Sequence, residues 1–198
     1  RRVVFRCNGK PMYLARPERS EFIKETRVYI NNLFSNYMNS KKINTVVLDQ
    51  AIPPTNILGT SCYFEDIKTI IIERDPRDIY ANMVRGRRLL GPELINKDSV
   101  EKYIKWHKHL RRVSEKDRDN IDISKNVLNL YFEDLVLNLD KTIEKINKFL
   151  GNNNIHDKKG RYFSQSYSIK NIGIWKKYKN QSVMSEIKKE LNEYCYDG

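Results

Sequence analysis

Cysteine, histidine and long apolar runs are scarce in this chain of 198 residues. The three cysteines, Cys7, Cys62 and Cys195, are far apart and form no Cys-x-x-Cys pair. Their number and spacing argue against a disulfide framework and a zinc site, and predict reduced thiols in a cytoplasmic protein. No apolar run reaches the length that crosses a bilayer, so we expect no membrane span.

Several functional signatures are also missing. The chain has no Gly-x-x-x-x-Gly-Lys-Ser/Thr sequence, which argues against a P-loop nucleotide kinase. It starts at Arg1 without a signal-peptide pattern. Among the three histidines, His107 and His109 are two residues apart and would face different sides of a helix, whereas His156 lies in a polar stretch. We therefore expect no metal site.

Positive charge is what the chain has in excess. It contains 37 Lys and Arg residues against 25 Asp and Glu residues, which gives a formal net charge of +12. Such a charge implies an acidic partner: a nucleotide, a polyanionic glycan, nucleic acid or an anionic membrane surface. The length fits one α/β domain with a sizeable core.

Residues 68–82 are the most informative segment, because an apolar strand runs directly into a helix start. Residues 69–72 form a β-branched run, and an Asp-Pro pair then has the pattern of an N-cap with proline at the first helical position. The helix N-terminus favours an anion, and Arg74 and Arg77 add guanidinium groups suited to phosphate. Asn82 can offer an amide donor from the second turn.

Two later segments extend this pattern. Residues 127–135 are a strand that ends in Tyr-Phe-Glu-Asp, and residues 170–178 contain a Gly-x-Trp-Lys sequence. Each segment also has an ordinary structural interpretation. The arginines could pair with neighbouring acids, the Glu-Asp pair could cap a helix, and the tryptophan could serve packing alone.

Together and in this order, the three segments resemble the nucleotide-binding segments of sulfotransferases that use 3′-phosphoadenosine 5′-phosphosulfate (PAPS). The resemblance covers roughly residues 44–180. In that family an arginine and a residue eight positions later grip the 3′-phosphate, which assigns this role to Arg74 and Asn82. Asn82 stands where the family usually has serine, and an amide can still donate to phosphate.

The resemblance also implies residues for the base and for a covering loop. Tyr131 or Phe132 would lie near the adenine. Three residues match the loop that closes over the nucleotide: Gly173, Trp175 and Lys176. Two more lie where its phosphate-contacting residues would be expected: Ser168 and Lys170.

The implied reaction moves a sulfuryl group from PAPS to a hydroxyl or amine of an acceptor, and leaves 3′-phosphoadenosine 5′-phosphate. A saccharide is our preferred guess for the acceptor. The family's 5′-phosphosulfate loop, normally near the start, is not recognisable here. We therefore expect residues 1–198 to be a single sulfotransferase-like domain that lacks this N-terminal unit.

A candidate catalytic base lies after a predicted strand at residues 45–48. Asp49 at this strand end could accept the proton of the acceptor hydroxyl, although an Asp in such a position is more often a capping residue. Gln50 lies near where the family often has lysine, and it can donate a hydrogen bond without adding charge.

Periodicity and punctuation predict an α/β fold: a three-layer, P-loop-NTPase-like parallel sheet flanked by helices. The predicted strands cover residues 3–5, 45–48, 69–72 and 127–131. The predicted helices cover residues 18–37, 57–66, 76–90, 99–114, 139–150 and 181–194. Ligands of such sheets bind at the carboxyl ends of the strands.

Two other functions remain open at this stage. A basic α/β protein could bind nucleic acid through the basic runs at residues 85–88, 111–112 and 158–161. The chain could also bind a nucleotide without catalysing transfer.

Overall fold

A computed structural model describes residues 3–7, 10–14, 17–53, 55–86, 100–118, 125–151 and 163–197. The chain divides into two compact units, Arg1–Ile67 and Lys68–Gly198. No helix in these ranges is both long enough and apolar enough to cross a membrane.

The first unit opens with a β-hairpin. Strand β1 (Val3–Cys7) pairs antiparallel with β2 (Lys10–Leu14), and Cys7 lies opposite Lys10. The predicted strand at residues 3–5 is confirmed, but its expected place in a parallel sheet is wrong. The reason is local: Asn-Gly between two strands is the strongest short-range hairpin signal, so the strand pairs with the segment that follows it.

Two helices follow in this unit, α1 (Arg19–Lys41) and α2 (Ile57–Ser61). Helix α1 continues one turn past its predicted end, and α2 stops short of the predicted residue 66. After α2 the chain turns, and the Cys62 carbonyl accepts a hydrogen bond of 2.6 Å from Arg27 Nε. The predicted helix therefore gives way to a loop held by α1.

The predicted strand at residues 45–48 is wrong. These residues form no strand, and the side chain of Val47 is 89% exposed. A β-branched run becomes a buried strand only where a partner strand and a covering layer are available. Among the described residues of the first unit, β1 and β2 pair with each other, and Val47 is left uncovered.

The second unit is built on one parallel strand pair. Strand β3 (Thr69–Glu73) pairs with β4 (Val127–Tyr131), in register from Thr69 opposite Val127 to Glu73 opposite Tyr131. Both predicted strands are confirmed. Between them lie α3 (Pro76–Gly86) and α4 (Val100–Arg118). The predicted end of α3 near residue 90 and the cap at residue 99 lie outside the described residues.

The described residues after β4 are mostly helical. Helices α5 (Phe132–Leu137) and α6 (Leu139–Leu150) follow β4, and α6 has the predicted bounds. After α7 (Gln165–Ser168) come the 3₁₀ turns Ile169–Asn171 and Ile174–Lys177, then α8 (Gln181–Glu190) and the 3₁₀ turn Asn192–Tyr194. Helix α8 is thus shorter than predicted. Of the loop predicted from the Asn-rich run at residues 151–154 and the basic run at residues 158–161, only Gly151 is described.

The core of the second unit joins α3, α4 and α8. Its buried members are Tyr80, Ala81, Tyr103, Ile104, Met184, Ile187 and Leu191. This core holds one side of α3, so the first turn of α3 is fixed beside the ends of β3 and β4. The parallel strand pair with its helices agrees with the α/β class, whereas three layers and a larger sheet remain predictions.

Candidate anion-binding site

The site begins where β3 and β4 end side by side. Glu73 and Tyr131 are register partners at the ends of β3 and β4. Because the strands are parallel, the chain leaves both strands at the same edge. The backbone N–H of Asp75 donates a 3.0 Å hydrogen bond to Glu133 Oε1, which ties the two departing segments together. This edge is where ligands of parallel sheets bind.

Helix α3 starts as predicted, with Asp75 in the capping position. Asp75 Oδ1 accepts a hydrogen bond of 2.8 Å from the Arg77 N–H, one of the N-terminal groups that have no partner within the helix. The same carboxylate also accepts from the Tyr196 N–H at 3.3 Å. The first turn of α3 is therefore held in part by side chains and backbone of the protein itself.

The guanidinium group of Arg77 is already bound within the protein. It is only 4% exposed, its Nε lies 2.9 Å from Asp75 Oδ1, and its guanidinium carbon lies 4.2 Å from the ring centroid of Trp175. Burial by itself would lower the pKa of Arg77, but the hydrogen bond and charge of Asp75 outweigh it and raise the pKa. A phosphate contact from Arg77 would have to compete with Asp75.

Arg74 is differently placed. It is half-buried, its Nη2 donates a 2.5 Å hydrogen bond to the Asn171 carbonyl, and its guanidinium carbon lies 5.2 Å from the ring centroid of Phe132. Its Nε is buried and has no hydrogen-bond acceptor among the described residues. A buried donor without an acceptor is costly, so this atom is suited to an anionic ligand.

The Gly-x-Trp-Lys loop lies against the start of α3. Asp78 Oδ2 accepts from the Gly173 N–H at 2.8 Å, and Asp78 Oδ1 accepts from the Trp175 N–H at 3.0 Å. Burial raises the pKa of Asp78, while these two N–H groups and the charge of Arg74 oppose that rise. Gly173 has φ +67°, a conformation that glycine adopts without strain. The start of α3 with Arg74 (the phosphate segment, residues 74–78) and the C-terminal loop (residues 171–175) are thus joined by direct hydrogen bonds.

The remaining predicted cofactor residues lie around this structure. Asn82 is exposed on α3, and Tyr131 is half-buried with its ring centroid 5.6 Å from that of Tyr196. Ser168 is half-buried at the end of α7, and Lys170 is exposed in the following turn. The exposed Lys176 has its Nζ 5.7 Å from the Trp175 ring centroid. Among the predicted cofactor residues, the network joins Arg74, Arg77, Phe132, Gly173 and Trp175.

The predicted catalytic residue belongs to the other unit. Asp49 is exposed in the loop that replaces the expected strand, next to Gln50, which has φ +53°. The cofactor residues all lie in the second unit. A catalytic role for Asp49 stays a prediction.

The network also contains residues that were not predicted as site residues: Asp78, Glu133 and Tyr196. Glu133 is 1% exposed, and its Oε2 has no partner among the described residues, so burial raises its pKa despite the hydrogen bond from the Asp75 N–H. Tyr196 donates from its hydroxyl to Asp134 Oδ1 at 2.7 Å. The acidic pair after β4 was a visible signal for Glu133, whereas nothing local indicates Tyr196.

The histidines and basic runs have other uses. His107 and His109 lie on different sides of α4, as expected: His107 is only 5% exposed, whereas His109 is exposed. Arg111 forms a 2.7 Å ion pair with Glu73, and Arg85 is exposed at the end of α3. The basic residues 87–88 and 158–161 lie outside the described residues. No cluster able to hold a metal ion occurs in the described part of the chain.

This arrangement is a candidate anion-binding site at the edge of a parallel strand pair, where the half-buried Arg74 keeps a donor without an acceptor among the described residues. Comparison with known families gives its class. Residues 24–157, more than half of the chain, match the model of the sulfotransferase family, and the chain therefore belongs to that family. No curated protein and no solved structure matches the chain significantly.

Proposed function

We propose that this sulfotransferase takes its sulfuryl group from PAPS and transfers it to a hydroxyl or amine of an acceptor, for which a saccharide is the leading candidate. The observation that carries the donor assignment is Arg74. Its Nε is a buried donor without an acceptor among the described residues. A phosphate oxygen is one of the acceptors that a guanidinium group binds strongly.

The 3′-phosphate distinguishes PAPS and its product from other adenine nucleotides. In this proposal Arg74 makes the main contact, and Asn82, Ser168 and Lys170 add donors around it. The placement of Arg74 against the Asn171 carbonyl supports this, because it joins the arginine to the turn that carries Lys170. The family match covers Arg74 but ends at residue 157, so Asn171 and Lys170 lie beyond it.

The aromatic residues would bind the base. Phe132 lies against Arg74, Tyr131 is at the end of β4, and Trp175 is stacked on Arg77. Nucleobases stack well on aromatic side chains. Arg77 would then act by holding Trp175, while Gly173 and Lys176 belong to the loop that covers the nucleotide.

PAPS, when bound, supplies an activated sulfuryl group on its 5′-phosphate. The residues of the chain would position it in line with the acceptor, and the cationic side chains would stabilise the negative charge that builds on the departing phosphate. Asp49 remains the candidate to take the acceptor proton, so Asp49→Asn would be the variant that tests this role.

The first prediction concerns the 3′-phosphate. We expect 3′-phosphoadenosine 5′-phosphate to bind more tightly than 5′-AMP or ATP, because only it presents a phosphate to Arg74. Arg74→Ala should weaken its binding by about tenfold to a hundredfold, the usual value of a hydrogen bond to a charged group. Isothermal titration calorimetry with all three nucleotides measures this preference directly.

Arg85→Ala is the matched control, because Arg85 is on the same helix as Arg77 but is exposed at its far end. It removes the same charge and should leave the preference for the 3′-phosphate intact. Equal losses of affinity in both variants would show that only the overall charge of the protein matters. Equal affinity of the wild type for the three nucleotides would overturn the assignment of the donor.

A further inference from the structure

Two separate contacts join the phosphate segment to the C-terminal loop. Arg74 donates to the Asn171 carbonyl, and the carboxylate of Asp78 accepts from the backbone N–H groups of Gly173 and Trp175. Both contacts connect the same two short stretches, residues 74–78 and 171–175. They are separated by more than 90 residues in sequence.

Asp78 is committed entirely to this contact. It is 1% exposed, and each of its oxygens accepts one backbone N–H from the loop, at 2.8 and 3.0 Å. Its position in the first turn of α3 also favours a negative charge. A buried carboxylate that lost these partners would be strongly unfavourable, so the loop and the carboxylate stabilise each other.

The loop is shaped to meet Asp78. Gly173 adopts φ +67°, which turns the chain between two 3₁₀ turns, and the Lys176 N–H closes the second turn on the Gly173 carbonyl at 3.1 Å. The N–H groups of residues 173 and 175 can then point at the same carboxylate. The indole of Trp175 meanwhile stacks on Arg77.

We propose that Asp78 is a positioning residue for the nucleotide site: it holds the loop at residues 171–175 against α3, so that Arg74 and the donors just before that loop, Ser168 and Lys170, act on one phosphate. This inference rests on the proposed function. Donors fixed before the ligand arrives lose less conformational entropy on binding, so a loosened loop should weaken mainly the interaction with the 3′-phosphate.

Asp78→Asn tests the role, because an amide keeps one acceptor oxygen but turns an N–H₂ group toward the second backbone N–H. We expect the affinity for 3′-phosphoadenosine 5′-phosphate to fall about tenfold while that for 5′-AMP changes little. Asp140→Asn is the matched control, since Asp140 is also in the first turn of a helix but is exposed.

Hydrogen exchange read by mass spectrometry separates positioning from general destabilisation. In Asp78→Asn, peptides that cover residues 171–177 should exchange faster, whereas those from α8 should not. In the wild type, the bisphosphate should slow exchange of residues 171–177 more than 5′-AMP does. This second measurement needs no variant and therefore remains valid if Asp78→Asn does not fold.

Each outcome decides something different. A wild type that does not bind the bisphosphate overturns the proposed function together with this inference. A wild type that binds it, with an Asp78→Asn variant that keeps both affinity and preference, overturns the positioning role alone. Equal losses for both nucleotides, with faster exchange throughout the second unit, would make Asp78 purely structural and would also overturn it.

Discussion

His107 shows how one buried side chain can make folding depend on pH. Burial, together with the nearby charge of Arg111, lowers its pKa from 6.5 to about 4, and Glu73 opposes this only weakly. The surrounding rings are those of Tyr103, Trp106 and Tyr194. Its Nδ1 has no partner in the described part of the chain. The folded protein therefore strongly favours neutral His107.

We predict that this histidine destabilises the fold in mild acid. Between pH 6.5 and about 4 the unfolded chain binds a proton that folded His107 does not, so the free energy of unfolding falls as pH falls through this window. The full contribution is about 3 kcal/mol. Urea unfolding at several pH values gives the free energy of unfolding of the wild type and of His107→Phe. The contribution of His107 is the difference in how this free energy changes with pH in the two proteins.

His109→Phe is the control, because His109 is exposed on the same helix. Burial raises the pKa of Asp78 and Glu133, and these acids act with the opposite sign: the folded state holds their protons more tightly, which favours folding at lower pH. They are common to all variants and cancel in the comparison. Parallel pH profiles for the wild type and His107→Phe would refute the prediction.

At the scale of elements, two glycines have the same backbone conformation but different surroundings. Gly151 ends α6 with φ +72°, and Gly173 shapes the C-terminal loop with φ +67°. Neither would meet a close obstacle with an added Cβ, because the nearest atoms are 4.0 Å and 3.5 Å away. The cost of alanine at either position therefore comes from the backbone conformation.

We expect Gly151→Ala and Gly173→Ala to lower the free energy of unfolding by a similar amount, about 1 to 2 kcal/mol. Only Gly173→Ala should also weaken binding of 3′-phosphoadenosine 5′-phosphate, because its loop meets Asp78. Thermal unfolding and calorimetry on both variants test this pair. Loss of nucleotide binding in both variants, or in neither, would show that binding does not depend specifically on this loop.

Element prediction succeeded where the signal is local. The β-branched run of β3 and the glycine that ends α6 specify those elements within a few residues, and both were predicted closely. It failed at residues 45–48, because a strand also needs a partner that its own residues do not supply. It also failed to pair β1, although the Asn-Gly sequence that favours a hairpin was present.

At the scale of the whole molecule, the net charge of +12 attracts many anions. The dependence of affinity on salt concentration distinguishes this general attraction from binding at a specific site. We predict that double-stranded DNA, if it binds at all at 50 mM salt, loses most of its affinity at 200 mM. The bisphosphate should lose much less, because Arg74 is half-buried and therefore less screened. Fluorescence anisotropy for DNA and calorimetry for the nucleotide make the comparison.

The opposite pattern would favour the nucleic-acid function: DNA bound tightly at 200 mM salt and no response to the bisphosphate. Arg111, one of the basic residues considered for that function, is already paired with Glu73. This pairing reduces what the residue can offer to a nucleic acid.

The sequence by itself determined three segments and the elements that carry them: β3 with the arginine pair, β4 with its acidic end, and the Gly-x-Trp-Lys loop. These depend on residue types at short spacing, which local physical chemistry governs. The family match then supported the class that they indicated. Donor, acceptor and catalytic base remain proposals.

Only the tertiary structure decided which of these residues work together. In the structure Arg77 binds Asp75 and stacks on Trp175, while Arg74 keeps a buried donor without an acceptor among the described residues. Asp78 accepts hydrogen bonds from a loop 95 residues away. Such partners depend on where parallel strands end and how α3, α4 and α8 pack. Spacing along the chain carries no record of contacts at that distance, so no local pattern could have selected them.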